Sequence, residues 1–210
     1  MGVSCRNGGR FAEHSACGTD GSRNFRGAVT PQLIAFEDSV VRRHFGANIS
    51  QWETDTGYHA YHLVNVIAVG RTIPMDRIWH EFARRPAPTI GTYNAPVKTG
   101  DRSIAMAAPT MGRGWGLPVP LPGGPVVHYI DKSLWALVNA TVAPHVLHPG
   151  IIMRWFVRLP GSEVECHTVG RGITVLSRVN QAAGAGLARI NETMGLEIFD
   201  ELDMAIRAAI

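Results

Sequence analysis

The sequence predicts an α+β fold: an antiparallel sheet, preceded by short helices, with a long C-terminal helix packed on it. Three observations predict it. Residues 125–169 hold four apolar runs of strand length separated by turn residues. Residues 192–210 carry apolar side chains at helical spacing. Two shorter helical patterns, at 31–45 and 74–82, stand before the strand-rich part.

The first 28 residues are rich in Gly, Ser, Asn and Arg and lack an apolar period, so they read as an irregular extension of a domain spanning 29–210. Pro31 then opens a helix in which Leu33, Ile34, Val40, Val41 and Phe45 share a face, and Gly46 stops it. From Tyr58 to Val69 the text turns β-branched and apolar, predicting a strand buried on both faces and closed by Gly70. Pro74 to Phe82 is a short amphipathic helix with Ile78, Trp79 and Phe82 inward, ended by Pro86 and Pro88.

Asp101 to Ala107 is a further short strand. Residues 109–125 contain five Pro and five Gly, a composition that argues against a helix or a central strand. The four runs Pro125–Asp131, Leu134–Val142, Gly150–Leu159 and Glu163–Val169 follow. Asp131-Lys132-Ser133 and Pro160-Gly161-Ser162 between them are turn chemistry, so at least two hairpins are expected. In the third run Ile151, Met153, Trp155 and Val157 form an apolar face, and Ile152, Arg154, Phe156 and Arg158 a mixed one. That alternation predicts a half-buried antiparallel strand. The last helix, from Glu192 to Ile210, aligns Met194, Ile198, Leu202, Ala205, Ile206 and Ala209 in one stripe.

Composition excludes several classes. Net charge is +3, the Arg residues are scattered, and Lys occurs only at 98 and 132, so no basic patch for nucleic acid is expected. No apolar run approaches the ~18–20 residues of a membrane span, and the N-terminus lacks the apolar core of a signal peptide. A cytoplasmic residence, or export without a cleaved signal, is the expectation. Cys5, Cys17 and Cys166 form no Cys-x-x-Cys pair, and a disulfide framework is not expected, with a single Cys5–Cys17 bridge left open.

Asn65-Val66-Ile67-Ala68-Val69 followed by Met75-Asp76-Arg77-Ile78-Trp79 is similar to the opening of START-like (Bet v 1-like) domains. The order of elements over residues 60–210 resembles the helix-grip fold of that superfamily. The resemblance implies a cavity between sheet and long helix that holds a small apolar molecule. The Pro/Gly-rich stretch 109–125 departs from its simple meander. A second similarity, of His145-Val146-Leu147-His148-Pro149-Gly150, Arg154 and Thr168-Val169-Gly170-Arg171-Gly172, is to C-terminal domains of bacterial polymorphic toxins.

Chemistry-bearing residues are few. His59/His62 and His145/His148 stand three apart; on a helix that spacing puts both rings on one face, as a metal site requires. His59 and His62 fall where a strand is expected, which sends them to opposite faces, and no carboxylate stands near enough in sequence to complete a ligand set, so no metal site is expected. His145 and His148 sit in a Pro-bounded corner between strands. They serve there either as acid and base or as hydrogen-bonding groups of the corner. Arg154 lies on the mixed face, and either binds a ligand oxygen in a cavity or is solvated. His145, His148 and Arg154 are therefore the candidate catalytic residues. Tyr129, Trp135, Trp155, His167 and Trp79 are the candidate ligand contacts, with core packing and a His167 or Glu165 pairing across strands to Arg154 or Arg158 as their alternatives. Cys166 points to the core. Gly170-Arg171-Gly172 and Gly112-Arg113-Gly114 lack the strand–GxGxxG–helix context and read as turns.

The leading functional expectation is binding of a small apolar ligand, with cofactor-free proton transfer or cyclisation as its enzymatic form. An antibacterial effector domain and a non-catalytic interaction module are the alternatives.

Overall fold

Every strand of the protein pairs antiparallel with its neighbours, in the order β1-β6-β5-β4-β3-β2. A computed structural model of the chain describes residues 29–55, 58–68, 72–89, 93–106, 122–145, 147–160, 162–173, 195 and 198–210. The expectations for residues 1–28, for 109–121 and for Met194 lie outside them.

Helix α1 (Pro31–Phe45) begins as its sequence dictates. The Thr30 hydroxyl accepts the Leu33 N–H, Pro31 occupies the first turn, and Gly46 ends the helix at φ 68°. Helix α2 (Ile49–Glu53) follows, and strand β1 (Tyr58–Ala68) is buried along most of its length. Helix α3 (Met75–Ala83) inserts Ile78, Trp79 and Phe82 as expected. Strand β2 (Arg102–Met106) then leads to β3 (Pro122–Asp131), β4 (Ala136–Thr141), β5 (Gly150–Arg158) and β6 (Val164–Ile173). The chain ends in α4, helical over residues 198–209.

Two strands extend beyond their expected limits. Strand β3 begins at Pro122 and runs between β2 and β4, which corrects for residues 122–125 the expectation that the Pro/Gly-rich stretch holds no central strand. Pro122 opens the strand, and Pro125 accepts the Val142 N–H at 2.9 Å through its carbonyl, a role that needs no N–H. Strand β6 runs through Gly170-Arg171-Gly172 to Ile173, so that tripeptide is strand and not turn; Gly172 pairs with His59 and with Gly150. Asp131-Lys132-Ser133 makes its turn as a 3-10 segment, the Asp131 carboxylate accepting from the Ser133 N–H.

The half-buried reading of β5 is corrected by the packing. Both faces of the sheet are covered. On one, Leu33, Val40 and Val41 of α1 and Trp52 of α2 meet Val138, Ala140, Met153, Trp155 and Val169. On the other, Ile78 and Phe82 of α3 and Ile206 and Ile210 meet Leu137, Phe156, Val164 and Cys166. A mixed strand face reads as solvated only when nothing charged on a partner element can receive its polar residue.

Each covering layer is stitched to the sheet by a buried ion pair. Arg171 of β6 donates from Nε to Glu37 Oε1 of α1 at 2.9 Å and from Nη1 to the Tyr58 hydroxyl at 2.9 Å. Arg154 of β5 donates to Asp203 of α4. Asp203 also turns α4 relative to the expected stripe. The inward residues are Ile198, Phe199, Asp203, Ile206 and Ile210, while Ala205 is exposed and Leu202 half-buried. Among the described residues no helix is long and apolar enough to cross a membrane.

Candidate functional site

Cross-strand partners share a sheet face, so the register places His59 of β1, Gly172 of β6 and Gly150 of β5 in one row. Tyr61, Gly170, Ile152 and Asn139 form the next. These rows lie on the α4 side. Over them is a partly open cavity of about 120 Å³. Its walls include Ile198 and Phe199 of α4, Ala87 and Pro88 after α3, Ala105 and Val126 of the outer strands, and His145 from the β4–β5 corner.

Glycines let two rings of the cavity wall, Tyr61 and His59, lie flat against the sheet. A Cβ on Gly170 would lie 2.3 Å from the Tyr61 ring, and one on Gly172 would lie 3.1 Å from His59 Cε1. Neither glycine has a positive φ; each is needed because an aromatic ring of β1 lies over it. Tyr61 cannot swing clear, since Gly195 bounds it on the other side, where an added Cβ would meet the ring at 2.7 Å. Gly170→Ala is therefore expected to destabilise by about 1–3 kcal/mol, measured by chemical denaturation. The same substitution in a Tyr61→Ala background should cost much less. An equal cost in both backgrounds would show that Tyr61 is not the obstacle.

The corner carrying His145 is held tightly. Gly124, at φ 129°, lies so close that a Cβ there would meet His145 Cα at 2.5 Å. His145 Nδ1 accepts the Leu147 N–H at 3.0 Å, which places the proton of a neutral ring on Nε2. Burial, and then the nearby His148, lowers this imidazole to about 4, so it is uncharged near pH 7.

The other polar groups of the wall are engaged. Asn139 donates from Nδ2 to Pro86 O at 2.6 Å and accepts from His128 Nδ1–H at 2.7 Å. The Thr141 hydroxyl accepts from the Gly150 N–H at 2.8 Å and donates to its carbonyl at 3.0 Å. Arg171 reaches the wall from β6 while its guanidinium is bound to Glu37 and Tyr58 across the sheet.

Of the sequence candidates, His145 alone lines the cavity. His148 faces Phe45, ring centroids 5.7 Å apart, and donates from Nδ1 to Thr141 O at 3.1 Å. Arg154 shares the sheet face of the cavity but is fully buried among Asp203, the Thr168 hydroxyl, Arg85 O and the rings of Phe82 and Phe199. Trp79 and Trp135 stack with Phe156 in the α3 core. Tyr129 is on the α1 side and donates its hydroxyl to His44 Nδ1 at 2.8 Å, because His44 Nε2–H is given to Thr141 O.

Trp155 and His167 are also on the α1 side, stacked 4.8 Å apart, with His62 next to both. His167 bonds Glu165 at 3.2 Å, in place of the expected cross-strand arginine. His59 and His62 face opposite sides of β1, as strand geometry requires. Cys166 is a free, buried thiol whose pKa burial pushes up, so it stays unreactive. Among the described residues no group of three or more His, Cys, Asp or Glu is arranged to hold a metal ion.

The sequence alone does not single out His59, Tyr61, Asn139 or Gly150 as wall residues, or Gly170 and Gly172 as lying beneath the two rings. Alternation along β1 carried the signal for the first two.

No family model matches the chain, and no curated protein sequence matches it. Among solved structures, a solution NMR structure of a Bordetella parapertussis protein aligns at 12% identity, covering 71% of this chain and 84% of that one, with a TM-score of 0.36.

Proposed function

We propose that the protein binds a small apolar molecule in the cavity between the sheet and α4, in a fold of helix-grip, START-like type. The strand order supports this reading: β1 lies beside the last strand, α3 stands between β1 and β2, and α4 closes over the sheet. The observation that carries it is the partly open, mostly apolar cavity itself, walled by Ile198 and Phe199 of α4 and by the His59 and Tyr61 side chains, whose rings lie over Gly172 and Gly170. Interiors are normally close-packed, and a space of this kind is characteristic of ligand sites.

Binding fits the chemistry better than proton transfer. A general acid at His145 must be protonated, and burial holds that ring neutral at physiological pH. Its Nε2–H is a hydrogen-bond donor suited to orienting an oxygen.

Native mass spectrometry of the freshly purified protein, against its denatured mass, tests the reading. A bound small molecule is expected on the wild type and absent from Gly172→Val, whose side chain would collide with the His59 ring and drive that wall of the cavity out of place. A mass increment untouched by Gly172→Val would place the molecule elsewhere and overturn the proposal.

A further inference from the structure

The cavity's size and the hydrogen-bonding state of its walls restrict what it can hold. Its volume is about 120 Å³ and one side is open. A closed aliphatic-lined cavity of ~150 Å³ admits benzene, so a single ring with part of the molecule in the open mouth is the largest occupant. Long acyl chains and fused rings exceed that space. The walls are largely hydrocarbon: Ala87, Ala105, Val126, Ile152, Ile198 and Phe199.

The described walls give a charged ligand no counter-ion. Among the described lining residues there is no Asp, Glu or Lys, and the guanidinium of Arg171 is committed to Glu37 and Tyr58 on the opposite face. An ionised ligand would lose its hydration without gaining a counter-ion. Asn139 has both ends of its amide bonded, and the Thr141 hydroxyl both donates and accepts.

His145 differs. Its Nδ1 is the acceptor of the Leu147 N–H, and among the described residues Nε2 has no hydrogen-bond partner. With the proton on that nitrogen, the ring offers the cavity a donor. Gly124 beneath its backbone fixes where that donor sits.

We infer that the occupant is an uncharged molecule of single-ring size bearing one hydrogen-bond acceptor, of the cyclic or aryl ketone and aldehyde class, docked with its oxygen on His145 Nε2–H. The inference rests on the binding function proposed above. It adds selectivity within an apolar site: an apolar pocket discriminates weakly between isosteres, whereas one placed donor rewards a matching oxygen.

Ligand-observed NMR titrations with toluene, acetophenone and benzoate separate the two levels. Acetophenone should bind about ten-fold tighter than toluene, the worth of one net hydrogen bond, and benzoate should not bind. His145→Phe should bring acetophenone down to the affinity of toluene while toluene binding persists, which also reports an intact cavity. His145→Gln, which keeps an N–H donor, should retain part of the preference. Equal binding of toluene and acetophenone to the wild type would overturn the inference and leave the cavity reading standing. So would preferred binding of benzoate, or a preference undiminished in His145→Phe. Failure of all three probes to bind the wild type would sink the cavity reading itself.

Discussion

Asp203→Ala is expected to destabilise the protein by about 3–5 kcal/mol, the cost of leaving a buried charge without its partner. The stranded group would be Arg154, which is 0% exposed and has no route to water. Its remaining contacts among the described residues are a 3.2 Å bond to the Thr168 hydroxyl, a 3.1 Å bond to Arg85 O, a 3.7 Å contact with Cys166 Sγ, and the faces of Phe82 and Phe199 at 4.9 and 5.3 Å. None of these neutralises a guanidinium. With native stabilities of about 5–15 kcal/mol, losing this pair consumes a large share of what holds the fold.

The pair is also what seats α4. Asn65 donates from Nδ2 to Asp203 Oδ2 at 2.9 Å, so the carboxylate ties the helix to β1 as well as to β5. Because α4 carries Ile198 and Phe199 into the cavity wall, Asp203→Ala should weaken ligand binding along with stability. Replacing both charges, as Arg154→Met with Asp203→Leu, should recover most of the loss, since a hydrophobic pair of similar volume needs no desolvation. Denaturant midpoints of the single and double variants decide the matter. A single variant costing less than about 1 kcal/mol, comparable with an exposed pair, would show that Arg154 finds another counter-charge.

That ion pair also marks the limit of what the sequence reveals. Elements governed by local chemistry are legible: Pro31 and Gly46 bound α1, and Asp131 and Ser133 build the β3–β4 turn where turn residues stand. The antiparallel sheet and the closing helix follow from period alone. Arg154 and Asp203 are 49 positions apart, and nothing in the spacing of either announces the other. An apolar stripe drawn on α4 therefore favours Leu202 and Ala205 and misses that the helix turns Asp203 inward.

The site suffers the same way. Glycine is equally at home in a turn and beneath an aromatic ring, so Gly170 and Gly172 acquire their meaning only once the register sets Tyr61 and His59 opposite them. The tryptophans are inward as expected. Their division between the α3 core, for Trp79 and Trp135, and the α1 side, for Trp155, depends on both sheet faces being covered.

Stability should fall steeply as the pH is lowered from about 6.5 towards 4, because the fold holds several imidazoles neutral. Burial, reinforced by Arg171, brings His62 to about 4; burial and the adjacent His62 bring His167 to about 3; His145 stands at about 4. His62 Nε2 and His167 Nδ1 are 3.2 Å apart, and His167 Nε2 meets Glu165 Oε2 at 3.2 Å. With His167 donating to the carboxylate, its Nδ1 accepts from His62, an order that protonation of His167 Nδ1 breaks. In the unfolded chain these rings titrate near 6.5. Their depressed folded values therefore contribute stability that is complete above pH 6.5 and is lost as the pH falls through about 4.

Keeping one imidazole neutral down to pH 4 instead of 6.5 corresponds to on the order of 3 kcal/mol at the acid end. Burial moves Glu37, Asp200 and Asp203 the other way, upward, so these carboxylates take up protons earlier in the folded state and moderate the fall. Urea midpoints measured at half-unit steps between pH 7 and 4.5 should decline throughout. The slope should flatten in His62→Phe/His167→Phe, which keeps aromatic rings against Trp155 and removes the groups that must stay neutral. A wild-type midpoint that does not change over this range, or an equal slope in the double variant, would show that proton uptake by this stack does not drive the acid transition.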